Sequence, residues 1–450
     1  MRVAIVGAGP AGIAAAGVLA AHGVAPVVID EAQRPGGQIF RQPRPGLRLD
    51  LEGLLGAEAK NYRRTHAAFE TLRDRVDYRP QTLAWGVEER TLHTVRGNAA
   101  ATLDFDALIL ATGATDRTLP VAGWTLPGVF TLGGAQALLK EHGCLIGRRI
   151  VFCGSSPLLY LAAKQYRAMG AEIVAVLDTM PFAGKMAAAL DLMAAPRTFA
   201  HGLGYMAALR RDGVAIHHGV TLHGFAGTDG VEAVRFRRRS GEDVTLPCDA
   251  VAFGFGLKPE TQLAEHAGAA LHYDATFRQW LPHADTDGRC GRGIYVAGDG
   301  AAIGGAQAAA LTGTLAACAV LDDFKIAVRD VERARTRRHV ARLRRFQRGL
   351  ARAFAWPAAI MSGLDDSVMV CRCEGVSAGE LRAALRADFG PREVNRLKAI
   401  TRCGMGRCQG RFCGLPAAEL TAQTLEVPLE DVGRLRMQPP VKPIPLALRS

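Results

Sequence analysis

Residues 3–30 read VAIVGAGPAGIAAAGVLAAHGVAPVVID, a pattern that predicts a strand, a glycine-rich turn, a helix and a second strand ending at Asp30. Gly7 allows the tight turn, Gly9 lets the backbone approach a pyrophosphate, and Gly12 lets the helix pack closely on the strand. The start of the helix then offers unpaired N–H groups to the phosphates. Because an acid at the end of the second strand can bind the ribose of adenosine, the stretch predicts a dinucleotide-binding fold.

The size and composition of the chain predict a globular protein with several domains. It has 450 residues, of which 49% are hydrophobic and 22% are charged, too many for a single core. We expect no targeting segment, because the first two residues lead directly into a strand, and no apolar run reaches membrane-spanning length. A cytoplasmic protein is therefore the expectation. Without a secretion signal, the 10 cysteines favour thiolates, a metal or an iron–sulfur cluster over disulfides.

The net charge of +12 is concentrated in one segment. Residues 325–352 carry 11 Lys and Arg residues against two acidic residues, so the rest of the surface is close to neutral. This distribution argues against a nucleic-acid-binding protein. Apolar residues recur in the segment at partly helical spacing, and we predict a basic helical linker over residues 323–366. Its basic side can be simply solvated; docking on an acidic partner or peripheral contact with an anionic membrane surface are the alternatives.

The chain contains two copies of the same strand, turn, helix and strand pattern, each followed by a short antiparallel meander and a buried strand that ends in glycine. We therefore predict two related nucleotide-binding domains. Residues 1–116 and 257–322 form the first domain in this interpretation. Residues 117–256 form the second domain, which is inserted into the first.

The second copy has a degenerate glycine motif. Its turn keeps Gly154 but has serines and an aliphatic residue where the first copy has its later glycines. Ser156 and Leu159 would crowd a diphosphate at this turn. The second domain is therefore expected to be a retained scaffold or to bind a different adenine nucleotide, rather than a nicotinamide cofactor.

Three further motifs accompany the first glycine turn: Pro35-Gly36-Gly37-Gln38, Ala111-Thr112-Gly113 and Gly298-Asp299. Paired glycines permit close approach to a bulky ligand. An acid ahead of a small-residue helix can accept hydrogen bonds from a ribityl chain. In this order the motifs resemble those of the two-dinucleotide-domain flavoproteins, which implies FAD in the first domain. The implied FAD-binding residues are Gly7, Gly9, Ala11, Gly12, Asp30, Glu31, Gly37, Gln38, Ala111, Thr112, Gly113, Gly298 and Asp299. No cysteine pair accompanies these motifs, so disulfide reduction is disfavoured.

Half of the cysteines lie within residues 371–413, as Cys371-Arg-Cys373 and the later stretch CGMGRCQGRFC. Four thiolates can hold a [2Fe–2S] cluster, with two on each iron. The glycines let the loop fold around the sulfur atoms. Zinc prefers a C-x2-C knuckle and fits this spacing poorly, so we favour the cluster over zinc and over uncoordinated thiols.

The cysteine pattern resembles the small ferredoxin-like domain of the bacterioferritin-associated ferredoxin type. This resemblance implies a helical [2Fe–2S] domain over residues 367–432. Its implied ligands are Cys371, Cys373, Cys408 and Cys413. Cys403 stands where the pattern needs no ligand and is interpreted as a nearby free thiol.

A two-domain flavoprotein followed by this cluster domain is similar to the larger subunit of opine oxidases and hydroxyproline dehydrogenases, and is akin to hydrogen cyanide synthase. The resemblance implies two partners, an FAD-dependent amine-oxidising beta subunit with a small ferredoxin-like gamma subunit. It also implies a further cofactor, either FMN at a subunit interface or an adenine nucleotide in the second domain. The proline-rich tail, residues 433–450, cannot form a helix and is expected to be disordered or extended on a partner.

The sequence therefore predicts an α/β protein with two Rossmann-like dinucleotide-binding domains, one inserted in the other, and a small C-terminal α-helical [2Fe–2S] domain. We expect the FAD- and [2Fe–2S]-containing electron-transfer subunit of a hetero-oligomeric amino-acid or amine dehydrogenase or oxidase. One alternative is an NAD(P)H-dependent flavoprotein reductase that feeds its own cluster. The other is a non-catalytic iron–sulfur carrier or scaffold. No carboxylate or histidine is placed by its spacing to act on a substrate, so no catalytic residue is assigned.

Overall fold

The computed structural model describes residues 1–449, and its largest sheet has six strands. Their spatial order is Arg289–Gly291, Ile294–Val296, Ala107–Leu110, Val3–Val6, Val27–Ile29 and Asp77–Arg79. All neighbours are parallel except the first two, which pair antiparallel. The strand Val3–Val6 is buried along its whole length because apolar clusters cover both faces of the sheet. The helices of this part are Pro10–Ala21, Leu51–Leu55, Ala59–Glu70, Gln262–His266 and Gly305–Asp323.

The second sheet has five strands, and all of its neighbours are parallel. Their spatial order is Ala215–His218, Glu172–Asp178, Arg149–Gly154, Ala250–Gly254 and Val129–Thr131. The helices that accompany this sheet are Leu132–His142, Leu158–Ala168, Phe182–Ala187, Ala189–Leu192 and Pro196–Arg211. Two parallel sheets in one chain confirm the prediction of an α/β fold with a repeated nucleotide-binding architecture.

Short antiparallel sheets complete these two parts. The two expected meanders consist of Leu83–Glu88, Thr91–Arg96 and Ala99–Asp104, and of Thr221–Ala226, Ala233–Arg237 and Asp243–Pro247. A hairpin joins Leu271–Asp274 to Gln279–Pro282. The chain crosses between the two parallel sheets through the strands Ala114–Asp116 and Leu257–Pro259, which pair antiparallel. These two strands, called the crossover pair below, lie next to the site described in the following subsection.

The helices Pro10–Ala21 and Gly305–Asp323 pack together at very short range. A Cβ at Gly313 would overlap the carbonyl group of Ala11, so only glycine permits this approach. A Cβ at Gly298 would in turn lie only 2.9 Å from the methyl carbon of Ala11. This contact fixes the start of the second helix, with Gly298 and Asp299, beside the first glycine turn.

The basic segment forms one long helix, Asp330–Ala353, followed by the short helix Ala358–Ser362. Val340, Leu343 and Phe346 are buried on its packed side, while most of its arginines are exposed. The last part contains the strands Met369–Cys371 and Val376–Ser377, and the helices Ala378–Arg386, Val394–Thr401, Gly414–Leu425 and Leu429–Val432. Three 3₁₀ turns, Gly56–Glu58, Arg73–Arg75 and Gly298–Gly300, complete the structure.

Part of the proline-rich tail, which was expected to be disordered or extended on a partner, packs on the body of this same chain. Val441 is 4% exposed, and its N–H donates to the carbonyl oxygen of Trp85 at 3.0 Å. The Lys442 ammonium lies 2.5 Å from the Glu31 carboxylate. No helix among residues 1–449 combines the length and the apolar content needed to cross a membrane.

Candidate functional site

The first glycine turn has the geometry of a phosphate-binding turn. Gly7 has a φ of +107°, and a Cβ there would overlap the carbonyl oxygen of Ala111 on the neighbouring strand. A Cβ at Gly12 would overlap the carbonyl oxygen of Gly7. Gly37 approaches the same turn, since a Cβ there would lie 3.0 Å from the Cα of Gly9. Side chains are therefore excluded around this turn, and backbone N–H groups of the helix start remain near the space.

Asp30 stands at the end of the second strand and holds the adjoining loops. Its carboxylate accepts hydrogen bonds from the N–H groups of Ala8 at 2.5 Å and Ala32 at 2.7 Å. Burial raises the pKa of Asp30, while these two N–H groups oppose the rise. The carboxylate therefore ties the glycine turn to the loop after the second strand. Glu31 beside it forms the ion pair with Lys442 of the tail.

Asp299 occupies the start of the long small-residue helix. Its Oδ1 accepts hydrogen bonds from the N–H groups of Gly304 at 2.8 Å and Gly305 at 2.9 Å. Burial raises the pKa of Asp299, and the two N–H groups oppose the rise. Both hydrogen bonds end on one oxygen, which leaves Oδ2 able to accept from a ligand. A Cβ at Gly300 would lie 2.6 Å from the hydroxyl oxygen of Thr112. The Ala111-Thr112-Gly113 motif and the Gly298-Asp299 motif therefore lie side by side.

One cavity of about 2490 Å³ joins these features. The sequence-predicted residues that line it are Gly7, Gly9, Ala11, Asp30, Glu31, Gly37, Gln38, Ala111, Thr112, Gly113, Gly298 and Asp299. Gly12 is not among the described residues that line the cavity. It lies where the helix packs on the glycine turn, and a side chain there would prevent that packing. The cavity is long and bounded by small residues at the glycine turn, so its residues fit an extended dinucleotide.

The five cysteines of residues 371–413 come together at one place. The sulfur atoms of Cys371, Cys403 and Cys413 all lie within 4.8 Å of one another, and all three residues are buried. Cys408 hydrogen-bonds both Cys373 and Cys413. The four predicted ligands are thus adjacent. Cys403, predicted to be a free thiol, is not set apart from them but packs against two of them.

The surroundings of Cys371 favour a thiolate. The side chains of Cys403 and Cys413 hydrogen-bond its sulfur, and the backbone N–H groups of Gly404 and Glu374 also donate to it. These hydrogen bonds outweigh burial and lower the pKa of Cys371 to about 2. Deprotonated sulfurs held by backbone N–H groups are typical of iron–sulfur ligation. The same contacts raise the pKa of Cys413, so the fit to a [2Fe–2S] cluster rests on the four thiols lying next to one another with backbone N–H groups beside them.

Residues 403–413, called the cysteine loop below, dock directly beside the crossover pair. Arg411, between the last two cysteines, donates to both carboxylate oxygens of Glu260, at 2.7 and 2.9 Å. The carbonyl oxygen of Glu260 accepts from the Thr112 hydroxyl at 2.6 Å, and its N–H donates to the Gly113 carbonyl oxygen at 3.0 Å. Glu260, Arg411 and Phe412 line the same cavity as the glycine turn. The cysteine loop therefore contributes two residues to the wall of the cavity, although none of the five cysteines is among the described lining residues.

The corresponding turn of the second parallel sheet lines the same cavity, but one of its serines is bonded to the segment that follows the basic helix. The Ser155 hydroxyl donates to the carbonyl oxygen of Ala355, just after the basic helix, at 2.9 Å. Asp178, at the end of the second strand, is fully buried and forms an ion pair with Lys185 and a 2.5 Å hydrogen bond with Tyr160. The acid that could bind an adenosine ribose is thus already paired.

A histidine borders this buried group. The Nδ1 atom of His218 lies 3.2 Å from the Lys185 ammonium, and its Nε2 lies 3.4 Å from Arg210. Burial lowers the pKa of His218 to about 4, and the Lys185 charge adds to the effect, although Asp178 opposes it. The imidazole is therefore neutral at neutral pH.

Comparisons with known proteins agree with this geometry. Residues 1–313 match the pyridine nucleotide-disulphide oxidoreductase family, and residues 369–423 match the BFD-like [2Fe-2S] binding domain. The A subunit of opine oxidase from Agrobacterium tumefaciens (strain Ach5) is 38% identical over 460 residues, which cover 98% of this chain and 90% of the relative. The chain belongs to the family of opine oxidase A subunits. Hydrogen cyanide synthase subunit HcnB of Pseudomonas aeruginosa is 31% identical and covers 99% of this chain and 98% of the relative.

A solved structure shares the fold over almost the whole chain. The crystal structure of L-proline dehydrogenase from P. horikoshii has a TM-score of 0.71 at 21% identity, and the match covers 99% of this chain and 78% of that chain. Together these findings confirm the predicted family, FAD and a [2Fe–2S] cluster as cofactors, and a flavin-dependent oxidoreductase subunit that transfers electrons. Both of these relatives are named as subunits.

Sequence reasoning missed the residues that connect the two cofactor regions. Glu260 and Arg411 are separated by 151 positions, and no spacing rule relates them. The available signal was an arginine placed between two cysteines of a glycine-rich loop. The ion pair between Arg278 and the buried Glu419, 2.8 Å apart, was missed for the same reason.

Proposed function

We propose that this chain receives electrons from an amine-oxidising partner and passes them, through its flavin and its cluster, to an acceptor. The donor is an amino acid or amine with a CH–NH bond, of the opine type that the names of the relatives suggest. The observation that carries the proposal is that one cavity is lined by both the first glycine turn and the cysteine loop. Two electron-carrying sites that share a wall are placed for transfer between them.

The proposed FAD site uses the thirteen residues that the flavoprotein resemblance implies. The N–H groups around Gly7 and Gly9 bind the diphosphate. Asp30 and Glu31 lie where the adenosine ribose is expected. Asp299 offers its second carboxylate oxygen to the ribityl chain. Gly12 acts through packing, because any side chain there overlaps the turn.

The proposed cluster ligands are Cys371, Cys373, Cys408 and Cys413, and Cys403 is a neighbouring thiol in their hydrogen-bond network. The reaction of the whole complex balances with an external acceptor. The donor loses a hydride from carbon and a proton from nitrogen, and a C=N bond forms. FAD and the cluster supply the change from two-electron to one-electron transfer, and the acceptor takes up the two electrons.

We further propose that the second parallel sheet does not bind a nicotinamide nucleotide in this chain. Ser155 is hydrogen-bonded to the linker, and Asp178 is paired internally. These contacts argue against an NAD(P)H-dependent reductase. FMN at a subunit interface, or an adenine nucleotide in the second domain, remains part of the proposal. The proposed partners are an FAD-dependent beta subunit with a small ferredoxin-like gamma subunit.

The proposal is tested on the complex that co-purifies with this chain under anaerobic conditions. An opine-type donor is expected to bleach the flavin absorption and to produce the electron paramagnetic resonance signal of a reduced [2Fe–2S] cluster. NADH and NADPH are expected to produce neither change within the same time. Rapid flavin bleaching by NADH, with no response to any CH–NH donor, would instead establish the reductase. Mass spectrometry of the released cofactors identifies FAD, FMN or another adenine nucleotide.

A further inference from the structure

The Glu260–Arg411 pair connects the proposed flavin site with the cysteine loop. Arg411 binds Glu260 through two parallel N–H···O bonds, and the two side chains are only 11% and 10% exposed. Bidentate geometry of this kind fixes both distance and orientation. A third donor of Arg411 binds the carbonyl oxygen of Val441 in the tail at 2.8 Å. The guanidinium is therefore held from two directions.

The backbone of Glu260 is attached to the proposed flavin site. Its N–H and C=O groups bond to Gly113 and Thr112, as described above. The strand that ends just before it, Leu257–Pro259, pairs with Ala114–Asp116. A rigid chain of contacts thus runs from the Ala111-Thr112-Gly113 motif through Glu260 to Arg411.

The backbone of the cysteine loop is attached to the same region. The Thr118 hydroxyl donates to the carbonyl oxygen of Phe412 at 3.0 Å, and the Gln262 amide donates to that of Gln409 at 2.8 Å. These two hydrogen bonds flank Arg411 on either side. The loop is therefore held at three successive points, of which only the Arg411 contact is an ion pair.

The pair also controls the charge beside the cysteines. Arg411 lies three residues after Cys408 and two before Cys413, so about 10 Å of extended chain is the largest possible separation from either backbone. Lys258 is a second basic residue in this neighbourhood; burial lowers its pKa, and the nearby Glu260 carboxylate opposes that shift. Glu260 is the acid that these two cations share.

We propose that the Glu260–Arg411 ion pair positions the cysteine loop against the flavin cavity and sets the electrostatic potential at the cluster. This inference rests on the proposed placement of the [2Fe–2S] cluster on these cysteines. Removal of the Glu260 charge leaves the two cations uncompensated, which favours the reduced, more negative cluster. Removal of the Arg411 charge leaves the acid with Lys258 as its only cation, which favours the oxidised cluster. In this proposal both residues act through the cysteine loop, so both are positioning residues.

The test compares Glu260→Gln, Arg411→Gln and the double variant in the full complex. The midpoint potential of the cluster is measured by redox titration with electron paramagnetic resonance, and iron and acid-labile sulfide are counted per chain. For one charge about 10 Å from the cluster and an effective dielectric constant of about 20, the equilibrium between the oxidised and reduced cluster changes roughly tenfold. A tenfold change corresponds to about 59 mV for one electron. We expect a higher potential for Glu260→Gln, a lower one for Arg411→Gln, and a value near the wild type for the double variant.

A matched control is available in the same part of the fold. Arg434, in the tail that follows the helical [2Fe–2S] part, and Glu265 form a similar pair at 2.6 Å, with side chains 25% and 18% exposed, and this pair joins the tail to the first part. In the part of the chain that the structure describes, neither side chain of this pair is hydrogen-bonded to the cysteine loop. Glu265→Gln is therefore expected to leave the cluster potential unchanged.

Shifts of the same sign in both single variants, or no shift with full iron content, would overturn the inference and leave the proposed function intact. If Glu260→Gln loses iron, Glu260→Asp, which retains the carboxylate, must recover it; iron loss in both variants overturns the charge role. Absence of iron and sulfide from the wild-type complex would instead remove the proposed function itself. The two failures are thereby distinguishable.

Discussion

Replacement of Arg278 by methionine is expected to weaken the docking of the cysteine-containing part, residues 367–432, on the two nucleotide-binding parts. The Arg278 guanidinium donates three hydrogen bonds to the Glu419 carboxylate, at 2.8 to 3.1 Å. Glu419 is 2% exposed and lies on the helix that begins directly after Cys413. The Arg278→Met variant retains most of the side-chain volume but leaves this carboxylate buried and unpaired.

The cost of that change follows from the burial of the two partners. Removal of one partner of a fully buried ion pair costs about 3–5 kcal/mol. Because the Arg278 side chain is 36% exposed, we expect a smaller loss, about 2 kcal/mol of docking free energy. That loss raises the undocked population about 30-fold, since 1.4 kcal/mol is about a factor of ten. Glu419→Met in the same chain should largely restore docking, because an apolar pair of similar volume tolerates burial.

Limited proteolysis of the assembled protein measures the undocked population. Chymotrypsin can cleave after Met361 and Leu364, which are 0% and 6% exposed and lie in the linker to the cysteine-containing part. When opening is fast compared with cleavage, the cleavage rate follows the equilibrium population of the open form. We expect cleavage about 30-fold faster for Arg278→Met and near the wild-type rate for the double variant. A single variant cleaved at the wild-type rate, or a double variant cleaved as fast as the single one, would refute the reasoning.

Three further outcomes follow from the site. Gly12→Ala should lose bound FAD, because its Cβ would overlap the preceding turn, whereas Gly17→Ala, which has room in the same helix, should retain it; flavin absorbance per chain measures both. Cys408→Ser should abolish the visible absorption of the cluster and Cys403→Ser should not, and the reverse result would exchange their roles. His218 has a folded pKa of about 4, below its unfolded value, so the unfolded chain takes up the proton first and stability should fall between about pH 6.5 and 4. His218→Gln should flatten that dependence of the thermal unfolding temperature on pH.

The features predicted from the sequence are those specified by local spacing. The turn from Gly7 to Gly12 is recognisable because each glycine avoids a steric clash with backbone or phosphate, and the three glycines lie within six residues of one another. The second copy was found in the same way, since Gly154 follows a buried strand and precedes a helix. These local signals were sufficient for the α/β fold and for the cofactors.

The features that could not be predicted depend on contacts between distant parts of the chain. Val441 of the tail packs near Trp85, and nothing in a proline-rich stretch indicates that partner. Cys403 joins Cys371 and Cys413 only because the folded loop brings three sulfurs together. Asp178 retained the position of a ribose-binding acid in the sequence, but the fold pairs it with Lys185. Spacing alone does not reveal that a side chain is already satisfied.

The central claim is that electrons pass between a flavin and a [2Fe–2S] cluster held by this one chain. The most direct measurement mixes the anaerobic complex with a CH–NH donor and records flavin absorption and the cluster's electron paramagnetic resonance signal in rapidly frozen samples. The account predicts that the signal of the reduced cluster appears as the donor is oxidised, and that Cys408→Ser abolishes it while the flavin is still bleached. A flavin that is reduced by the donor while an intact cluster stays oxidised would contradict the claim.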